Sequence, residues 1–450
     1  MSESDRLFLA AAIEEGGQCV SAGGPPWRKL VYRPGPNTPK REGRLLARFL
    51  RYVRIGTTAD EKSTTYPSSP GQRVLGRLLL DELHEMGVRD AVQDDNGIVF
   101  GTIRPTVSGA VPPIAFVAHV DTSPETTGEG VKPIVHAPYD GKDIVLPGDP
   151  TKVLRASDPD LAKLVGQTII TTDGTTLLGG DDKAGVAVIM EAAHRLMEQP
   201  DLPHGRIRLC FTCDEEVGHG VDHVDLATLG AKVAYTLDGS GVGEIDVETF
   251  SADLATVTVT GTNIHPAIAK GSMVNAVRIA GLFLARLPRD EQAPEVTDGR
   301  DGFLHPYTIE GGVGKVTIRI LLRDFDTPKL AERAELLRRA AREVLKEYPT
   351  ATIDVAITEQ YRNLADGLRK EPRAAAFAEE AMRRVGLSPK LTIVRGGTDG
   401  SRLTELGLPT PNLSCGEHNL HSPLEWTCLE EMETAVRVLV ELAQIWGQTE

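Results

Sequence analysis

The chain has 450 residues, of which 40% are hydrophobic and 25% are charged, and these proportions are typical of folded globular proteins rather than disordered or fibrous ones. Its formal net charge of -15 argues against non-specific binding to nucleic acid, which needs a basic surface. No apolar run approaches the roughly eighteen residues that cross a bilayer, so no membrane partner is expected.

The N-terminus and the cysteines both indicate a cytoplasmic protein. Met1 is followed by acidic residues, where a secretory signal would carry basic ones. Five scattered cysteines are too few for a disulfide framework. Cys210 and Cys213 have the spacing of a redox or zinc-ribbon pair, but they end a strand-like run and no second pair follows at ribbon distance. They are interpreted as buried structural thiols.

The first 38 residues are predicted to form a poorly ordered extension, because they contain Gly- and Pro-rich stretches. Ordered structure is expected to follow, with a helix over 71–87 that has apolar residues at helical spacing and ends at a glycine. From there, buried strands alternate with helices. The predicted strands are 98–102, 114–120, 207–212 and 233–238, and the intervening helix is 183–198.

This alternation predicts an α/β fold, with a mainly parallel sheet and helices on both faces. Such sheets bind ligands at the carboxyl ends of their strands. His119, Glu216 and Asp238 all fall at the ends of predicted strands. A functional site is therefore expected at that edge of the sheet.

The pattern changes over 251–363, where a smaller α+β domain of ferredoxin-like type is predicted as an insertion. Strands that alternate apolar and polar residues are expected near 254–261, 314–323 and 352–358, with amphipathic helices near 274–286 and 330–348. The remaining segments, 39–250 and 364–450, would form the catalytic domain.

Two cations a few ångströms apart need about three protein ligands each, usually with one carboxylate shared between them. Five residues at strand ends or beside glycines supply that number if Asp181 is the shared one. They are His119, Asp181, Glu216, Asp238 and His421.

Four carboxylates have distinct expected roles. Asp121 lies two residues after His119, so both side chains point the same way on an extended segment, and Asp121 can orient the imidazole. Glu215 and Glu216 are adjacent and must project differently, so one can bind metal while the other acts as a general base. Asp182 is expected to cap the helix that follows it.

Together these segments resemble the zinc-dependent metallopeptidase family of the aminoacylase and carboxypeptidase type, and within it the tripeptide aminopeptidases. The resemblance covers about 43–448. Besides the metal motifs, it rests on segments 66–72, 119–124, 177–185, 265–276 and 395–400.

The resemblance implies two Zn²⁺ ions, for which Co²⁺ or Mn²⁺ can substitute. One zinc would be held by His119, Asp181 and Asp238, and the other by Asp181, Glu216 and His421. Glu215 would activate the bridging water and later protonate the leaving amine, with Asp121 orienting His119. His421 is preferred to His418 because the spacing of His421 to Glu425 matches the family pattern. The family also implies a cis peptide between Asp181 and Asp182.

The inserted domain resembles the lid of that family, a common surface for homodimers. Seven residues are expected to bind the substrate: His265, Asn275, Arg323, Arg395, Gly396, Gly397 and Thr398. Each has a purely structural alternative. The segment after His265 could be only a turn, Arg323 an exposed strand end, and the glycine loop a tight connection.

Three hypotheses about function follow. The first is a di-zinc aminopeptidase that removes the N-terminal residue of tripeptides or other short peptides. The second is a related amidohydrolase acting on N-acyl amino acids or dipeptides, because residues 422–424 resemble the broader family. The third, a non-catalytic peptide-binding relative, is disfavoured by the presence of both Glu215 and Asp121.

Overall fold

The computed structural model of the chain describes residues 18–21, 30–33 and 41–449. The predicted N-terminal extension therefore lies largely outside the described residues, apart from two short strands that pair antiparallel. Beyond these, the chain divides into two compact units. The first unit takes its described residues from Met1–Ile245, Glu371–Leu391 and Thr410–Glu450, and the second comprises Asp246–Lys370 and Thr392–Pro409.

The described elements alternate along the chain. In chain order, the strands and helices up to the second unit are β1 (Gln18–Ser21), β2 (Leu30–Arg33), α1 (Arg41–Tyr52), α2 (Pro70–Glu85), β3 (Val92–Gln93), β4 (Val99–Ile103), β5 (Ile114–His119), β6 (Ile134–His136), β7 (Ile144–Val145), β8 (Val153–Leu154), β9 (Ile169–Thr171), α3 (Gly180–Glu198), β10 (Ile207–Thr212), α4 (Leu226–Leu229), β11 (Val233–Ser240) and β12 (Glu244–Thr249). The remaining elements are β13 (Ser251–Thr260), α5 (Ala276–Leu284), β14 (Phe303–Gly312), β15 (Lys315–Asp324), α6 (Thr327–Glu347), β16 (Thr352–Tyr361), α7 (Ala365–Leu368), α8 (Arg373–Arg384), β17 (Lys390–Val394), α9 (Asp399–Glu405), β18 (Asn412–His418), β19 (Trp426–Cys428) and α10 (Leu429–Gly447).

The first unit is built on a mixed sheet whose strands lie in the order β3-β4-β10-β5-β11-β18-β19-β9-β6. The central strands β10, β5, β11 and β18 are parallel to one another, which confirms the predicted α/β sheet at its centre. The outer pairings are antiparallel. At β18 and β19 the reason is local, because the short connection 419–425 cannot make the crossover that a parallel pair requires.

Strand β5 and helix α3 form the core beneath the site. Every residue of β5 is buried, as expected for a strand covered on both faces, and α3 packs against β5, β11 and β18. A Cβ at Gly185 would lie 1.8 Å from the backbone oxygen of Leu237, so only glycine allows α3 to approach β11 this closely. Cys210 and Cys213 are both buried at the end of β10.

The second unit has an antiparallel sheet in the order β14-β15-β13-β16. Helices α5 and α6 contact this sheet, and their apolar side chains join its inner face in one core that includes Val257, Phe283, Ile320 and Leu337. The order of elements is the predicted β-α-β-β-α-β. All of 251–363 lies within this unit, which also takes in Thr392–Pro409.

Within the described part of the chain, no helix combines the length and apolar character needed to cross a bilayer.

Candidate metal centre

The predicted ligands meet at the carboxyl ends of the parallel strands. His119 is the last residue of β5, Asp238 lies near the end of β11, and Glu216 lies in a single helical turn, Glu215–Val217, just after β10. Asp181 lies at the start of α3, and His421 follows β18. This is the edge at which α/β sheets bind ligands.

Asp181 stands between the two histidines and presents a different carboxylate oxygen to each. Its Oδ1 lies 3.0 Å from Nε2 of His119, and its Oδ2 lies 3.1 Å from Nε2 of His421. Glu216 Oε2 is 3.0 Å from the same His421 nitrogen, and Asp238 Oδ1 is 3.9 Å from Nε2 of His119. The five side chains therefore form two donor groups that share one carboxylate.

Burial and mutual contact shift the pKa values of the side chains in this cluster. Burial raises the pKa of Glu216 to about 7, with the charge of Asp181 adding to the effect. Burial likewise raises the pKa of Asp238 well above its usual range. Hydrogen bonds to Asp181 and Glu216 raise the pKa of His421 to about 11. Buried carboxylates that tend to hold protons can bind a metal cation instead of those protons.

The donor atoms suit divalent cations of hard-to-borderline character. Two imidazole nitrogens and three carboxylates are the ligand types that zinc, cobalt and manganese accept. In addition, Oε1 of Glu216 is buried and has no hydrogen-bond partner within the described residues. The residues present therefore fit a paired metal centre.

Asp121 is fully buried and connects His119 to the turn that carries the two glutamates. Its Oδ1 is 3.3 Å from Nδ1 of His119, and its backbone oxygen lies 3.2 Å from the same nitrogen. The same carboxylate accepts hydrogen bonds from the backbone N–H groups of Glu215 at 3.1 Å and Glu216 at 3.0 Å. Sequence reasoning anticipated the contact with His119, which is local, but not the bonds to the glutamate turn.

Asp214 begins the Glu215–Val217 turn in a left-handed conformation, with φ of 62°. Its carboxylate accepts from the backbone N–H of Ser68 and from Nε2 of Gln72, each at 2.6 Å. The backbone N–H of Asp214 donates to Oε1 of Gln72 at 3.1 Å. These bonds join segment 66–72 to the turn that carries the two glutamates, a contact that the sequence alone did not reveal.

Glu425 holds the loop that carries Asp181. Its buried carboxylate accepts the backbone N–H groups of Leu178 at 2.7 Å, Gly179 at 2.8 Å and Asp181 at 3.0 Å. Sequence reasoning used Glu425 only as a spacing marker after His421. The structure makes it the anchor of the loop that carries Asp181.

The peptide between Asp181 and Asp182 is cis, as the family resemblance implies. Both of these residues have non-helical backbone angles, so the regular part of α3 starts after them. Asp182 accepts the backbone N–H of Gly185 at 3.1 Å, which is the predicted cap, and also that of His119 at 3.0 Å.

The structure brings His421, and not His418, to the cluster. The backbone oxygen of His421 accepts a hydrogen bond from Thr126 Oγ1 at 2.8 Å. The ring of His418 instead stacks on Trp426, with centroids 3.7 Å apart, and its Nε2 lies 2.7 Å from Glu431. Glu417, next to His418, is a further buried carboxylate near Asp181 and Asp238 that sequence reasoning missed.

The predicted substrate-binding residues all belong to the second unit. His265 is exposed, and its Nδ1 accepts the backbone N–H of Ala267 at 3.2 Å. Asn275 caps α5, and Thr398 caps α9. These contacts are local turn and cap interactions.

Arg323, Arg395 and the glycines between Arg395 and Thr398 form a second group within that unit. Arg323 is buried, not exposed, and its guanidinium lies over Tyr361. Arg395 donates to the backbone oxygen of Gly299 at 3.0 Å. A Cβ at Gly397 would come within 2.4 Å of the Tyr361 ring, whereas Gly396 has room for one.

Comparison with known proteins places these features in a family. The model of Peptidase family M20/M25/M40 matches residues 173–445. The chain is 42% identical over 407 residues to Peptidase T of Listeria monocytogenes serotype 4a (strain HCC23), an alignment that covers 90% of this chain and 99% of that protein. This match confirms the resemblance noted in the sequence.

Two solved structures share the fold. A tripeptidase from Staphylococcus aureus subsp. aureus mu50 has a TM-score of 0.72 at 23% identity, and the alignment covers 92% of this chain and 100% of that one. A protein from Bacillus subtilis, described as a dinuclear metal binding peptidase from the M20 family, has a TM-score of 0.59 at 15% identity, with 90% and 98% covered. The sequence match over most of its length shows that the chain belongs to Peptidase family M20/M25/M40.

Proposed function

We propose that the chain is an aminopeptidase that uses two divalent cations, zinc ions in the first instance, to remove the N-terminal residue of tripeptides or other short peptides. The observation that carries the proposal is the position of Asp181, whose two carboxylate oxygens face His119 and His421 separately at 3.0 and 3.1 Å. Such a shared carboxylate is the usual feature of paired-metal hydrolases. The name of the Listeria relative, Peptidase T, supports the peptide substrate.

His119, Asp181 and Asp238 would hold one cation, and Asp181, Glu216 and His421 the other. Bound there, the cations would lower the pKa of the attacking water and polarise the scissile carbonyl. The short contacts among these side chains support this division, since each group of three includes one imidazole and Asp181.

Glu215 is proposed as the general base. Its carboxylate would take the proton of the attacking water and later donate it to the nitrogen of the leaving amine. Support comes from its place beside Glu216, on a turn whose backbone N–H groups are bound by Asp121. Asp121 is thereby a positioning residue for both His119 and the glutamate pair.

The second unit is proposed to act as the lid and to bind the peptide through His265, Asn275, Arg323 and the loop 395–398. A lid of fixed size would limit the length of the substrate. The domain limits 39–250, 251–363 and 364–450, a homodimer formed through the lid, and a cytoplasmic location are parts of the same proposal. They rest on the family resemblance.

A second candidate is an amidohydrolase that acts on N-acyl amino acids or dipeptides. It is favoured by Ser422, Pro423 and Leu424, the residues directly after His421, which resemble the broader family rather than the tripeptide aminopeptidases. The same metal centre would serve both activities, because only the pocket for the substrate differs.

A substrate panel separates the two candidates. Metal-loaded protein is incubated with tripeptides, dipeptides, N-acetylated tripeptides and N-acyl amino acids, and the products are identified by mass spectrometry. We expect free tripeptides to lose their N-terminal residue and N-acetylated ones to resist, with no reaction after chelation. Cleavage of only the blocked substrates would contradict the aminopeptidase and support the amidohydrolase.

A further inference from the structure

Glu417 is a fully buried carboxylate on β18, with 0% of the residue exposed to solvent. Neither of its carboxylate oxygens makes a hydrogen bond by distance within the described residues, and its polar neighbours are the acidic side chain of Asp182 and the thiol of Cys415. Burying an ionised carboxylate without a partner is costly, so such groups are normally paired with a cation or hold a proton. The surroundings of Glu417 must therefore supply either a cation or a proton.

The side chain lies beside the proposed ligands. Glu417, Asp181 and Asp238 each offer an oxygen, and these three atoms lie within 4.8 Å of one another. The register of the sheet explains this proximity, because β18 runs parallel to β11 and Glu417 pairs with Ser240, two residues after Asp238. Glu417 thus stands at the same strand-end edge as the proposed metal ligands.

Within the described part of the chain, neither Asp238 nor Glu417 forms an ion pair with a lysine or arginine. Lys183, the nearest lysine along the chain to Asp181, is buried and donates its Nζ to the backbone oxygen of Ile55 at 2.8 Å. His421 faces Asp181 and Glu216. In the other donor group, Nε2 of His119 is shared between Asp181 at 3.0 Å and Asp238 at 3.9 Å. The group around His119, which includes Asp238 and Glu417, therefore has more carboxylates for each nearby histidine than the group around His421.

We propose that Glu417 supplies a further oxygen to the cation held by His119, Asp181 and Asp238. This inference rests on the proposed metal centre and adds a ligand to one of its two positions. The two metal positions then differ in their ligands. The position that includes Glu417 would have an imidazole and three carboxylates, whereas the other would have an imidazole and two carboxylates. Hard cations such as Mn²⁺ prefer oxygen ligands, so the position that includes Glu417 should accept Mn²⁺ better than its neighbour.

The test compares wild-type protein with Glu417→Gln, which keeps the size of the side chain and removes its charge. Metal-free protein is titrated with Zn²⁺ and with Mn²⁺ in competition with a fluorescent chelator. We expect one of the two sites to lose about 10- to 100-fold in affinity, the range found when groups supporting a metal are removed, with the other unchanged. The loss should be larger for Mn²⁺ than for Zn²⁺.

Glu431→Gln is the matched control. Glu431 is a nearby buried carboxylate, but it binds His418 rather than any proposed ligand, so its substitution should leave both affinities as in wild type. Unchanged affinities in Glu417→Gln would overturn the proposal.

Thermal unfolding with and without metal separates a ligand from a structural carboxylate. Without metal, Glu417→Gln should unfold at a higher temperature than wild type, because glutamine avoids the cost of either burying this charge or protonating the carboxylate. With Zn²⁺ it should gain less stability than wild type, since stabilisation follows the affinity for the ion. A variant that is less stable in the metal-free state, or that does not fold, contradicts the proposal.

The number of metal ions that wild-type protein binds distinguishes two further outcomes. Wild-type protein that binds no metal would refute the proposed function together with this inference. Wild-type protein that binds three ions, one of them lost in Cys415→Ser, would instead place Glu417 in a separate site with Asp182 and Cys415, whose donor atoms also lie within 4.8 Å of one another. That outcome would overturn only the inference.

Discussion

The carboxylate of Asp121 accepts the backbone N–H of Glu215 at 3.1 Å. The same carboxylate binds the N–H of Glu216 and lies 3.3 Å from Nδ1 of His119. One buried side chain at the end of β5 therefore positions both a proposed metal ligand and the turn that carries the proposed base. Loss of this carboxylate should therefore weaken both metal binding and the positioning of the proposed base.

Replacement of Asp121 should weaken metal binding in a graded way. Asp121→Asn keeps one oxygen acceptor and Asp121→Ala keeps none, so the alanine variant should be affected more. We expect losses of about 10- to 100-fold in Zn²⁺ affinity, as found when the hydrogen-bond partners of ligating histidines are removed, with a lower kcat as well. Chelator competition and peptide hydrolysis measure these effects.

Asp225→Asn is the control for that series, because Asp225 caps α4 through the backbone N–H groups of Ala227 and Thr228 and contacts no proposed ligand. Equal Zn²⁺ affinity in wild type and Asp121→Ala would show that Asp121 does not position the metal centre.

Glu215→Gln should bind two metal ions and lose most of its turnover. A glutamine cannot accept the proton of the attacking water, and general-base catalysis contributes about 10²- to 10⁴-fold to rates. Glu216→Gln makes the same chemical change one residue later, at a proposed ligand, and should instead lower the metal content. Elemental analysis and kcat/KM on a tripeptide measure both. Substantial activity in metal-loaded Glu215→Gln would remove the base assignment.

Glu425→Ala should destabilise the first unit. The substitution leaves the backbone N–H groups of Leu178, Gly179 and Asp181 without their shared acceptor. Loss of buried hydrogen bonds to a charged group costs on the order of 3 kcal/mol. Urea unfolding of the metal-free protein measures the effect apart from any change in metal binding.

Glu371→Gln is a comparison for that variant, because Glu371 pairs with the partly exposed Arg373 and exposed pairs contribute about 1 kcal/mol or less. A loss in Glu425→Ala no larger than in Glu371→Gln would argue against the anchoring role of Glu425.

His194 should make stability depend on pH. Burial lowers its pKa to about 4, and the charges of Arg48 and Arg44 add to this effect. The unfolded chain, in which histidine titrates near its ordinary value of about 6.5, therefore binds more protons than the folded chain between these two values. The contribution of His194 to stability is complete above about pH 6.5 and is lost as the pH falls towards 4.

His194→Gln removes that titration. The decrease in the free energy of unfolding between pH 7.5 and pH 4.5, measured by urea denaturation of metal-free protein, should be smaller in the variant than in wild type. The same decrease in both proteins would exclude His194 as a source of the pH dependence.

Local patterns in the sequence were sufficient for much of the fold. Short buried apolar runs predicted β5 and β10, and helical and alternating periodicities predicted α3 and the β-α-β-β-α-β order of the second unit, because these patterns depend on residues a few positions apart. The antiparallel flanks of the large sheet were not predicted. Strand order depends on contacts between distant segments, which periodicity does not encode.

At the site too, local sequence patterns predicted some features and contacts between distant segments decided others. The sequence placed the five proposed ligands at strand ends or beside glycines, which predicts that they meet at one edge of a parallel sheet, and the family resemblance favoured His421 over His418. It also placed Asp121 beside His119, because side chains two residues apart on a strand point the same way. Only the tertiary structure decided how Asp121, Asp214 and Glu425 hold the site, and that Glu417 lies against it. These contacts join residues far apart in the chain, and they depend on the register of β18 against β11 and on the paths of the loops.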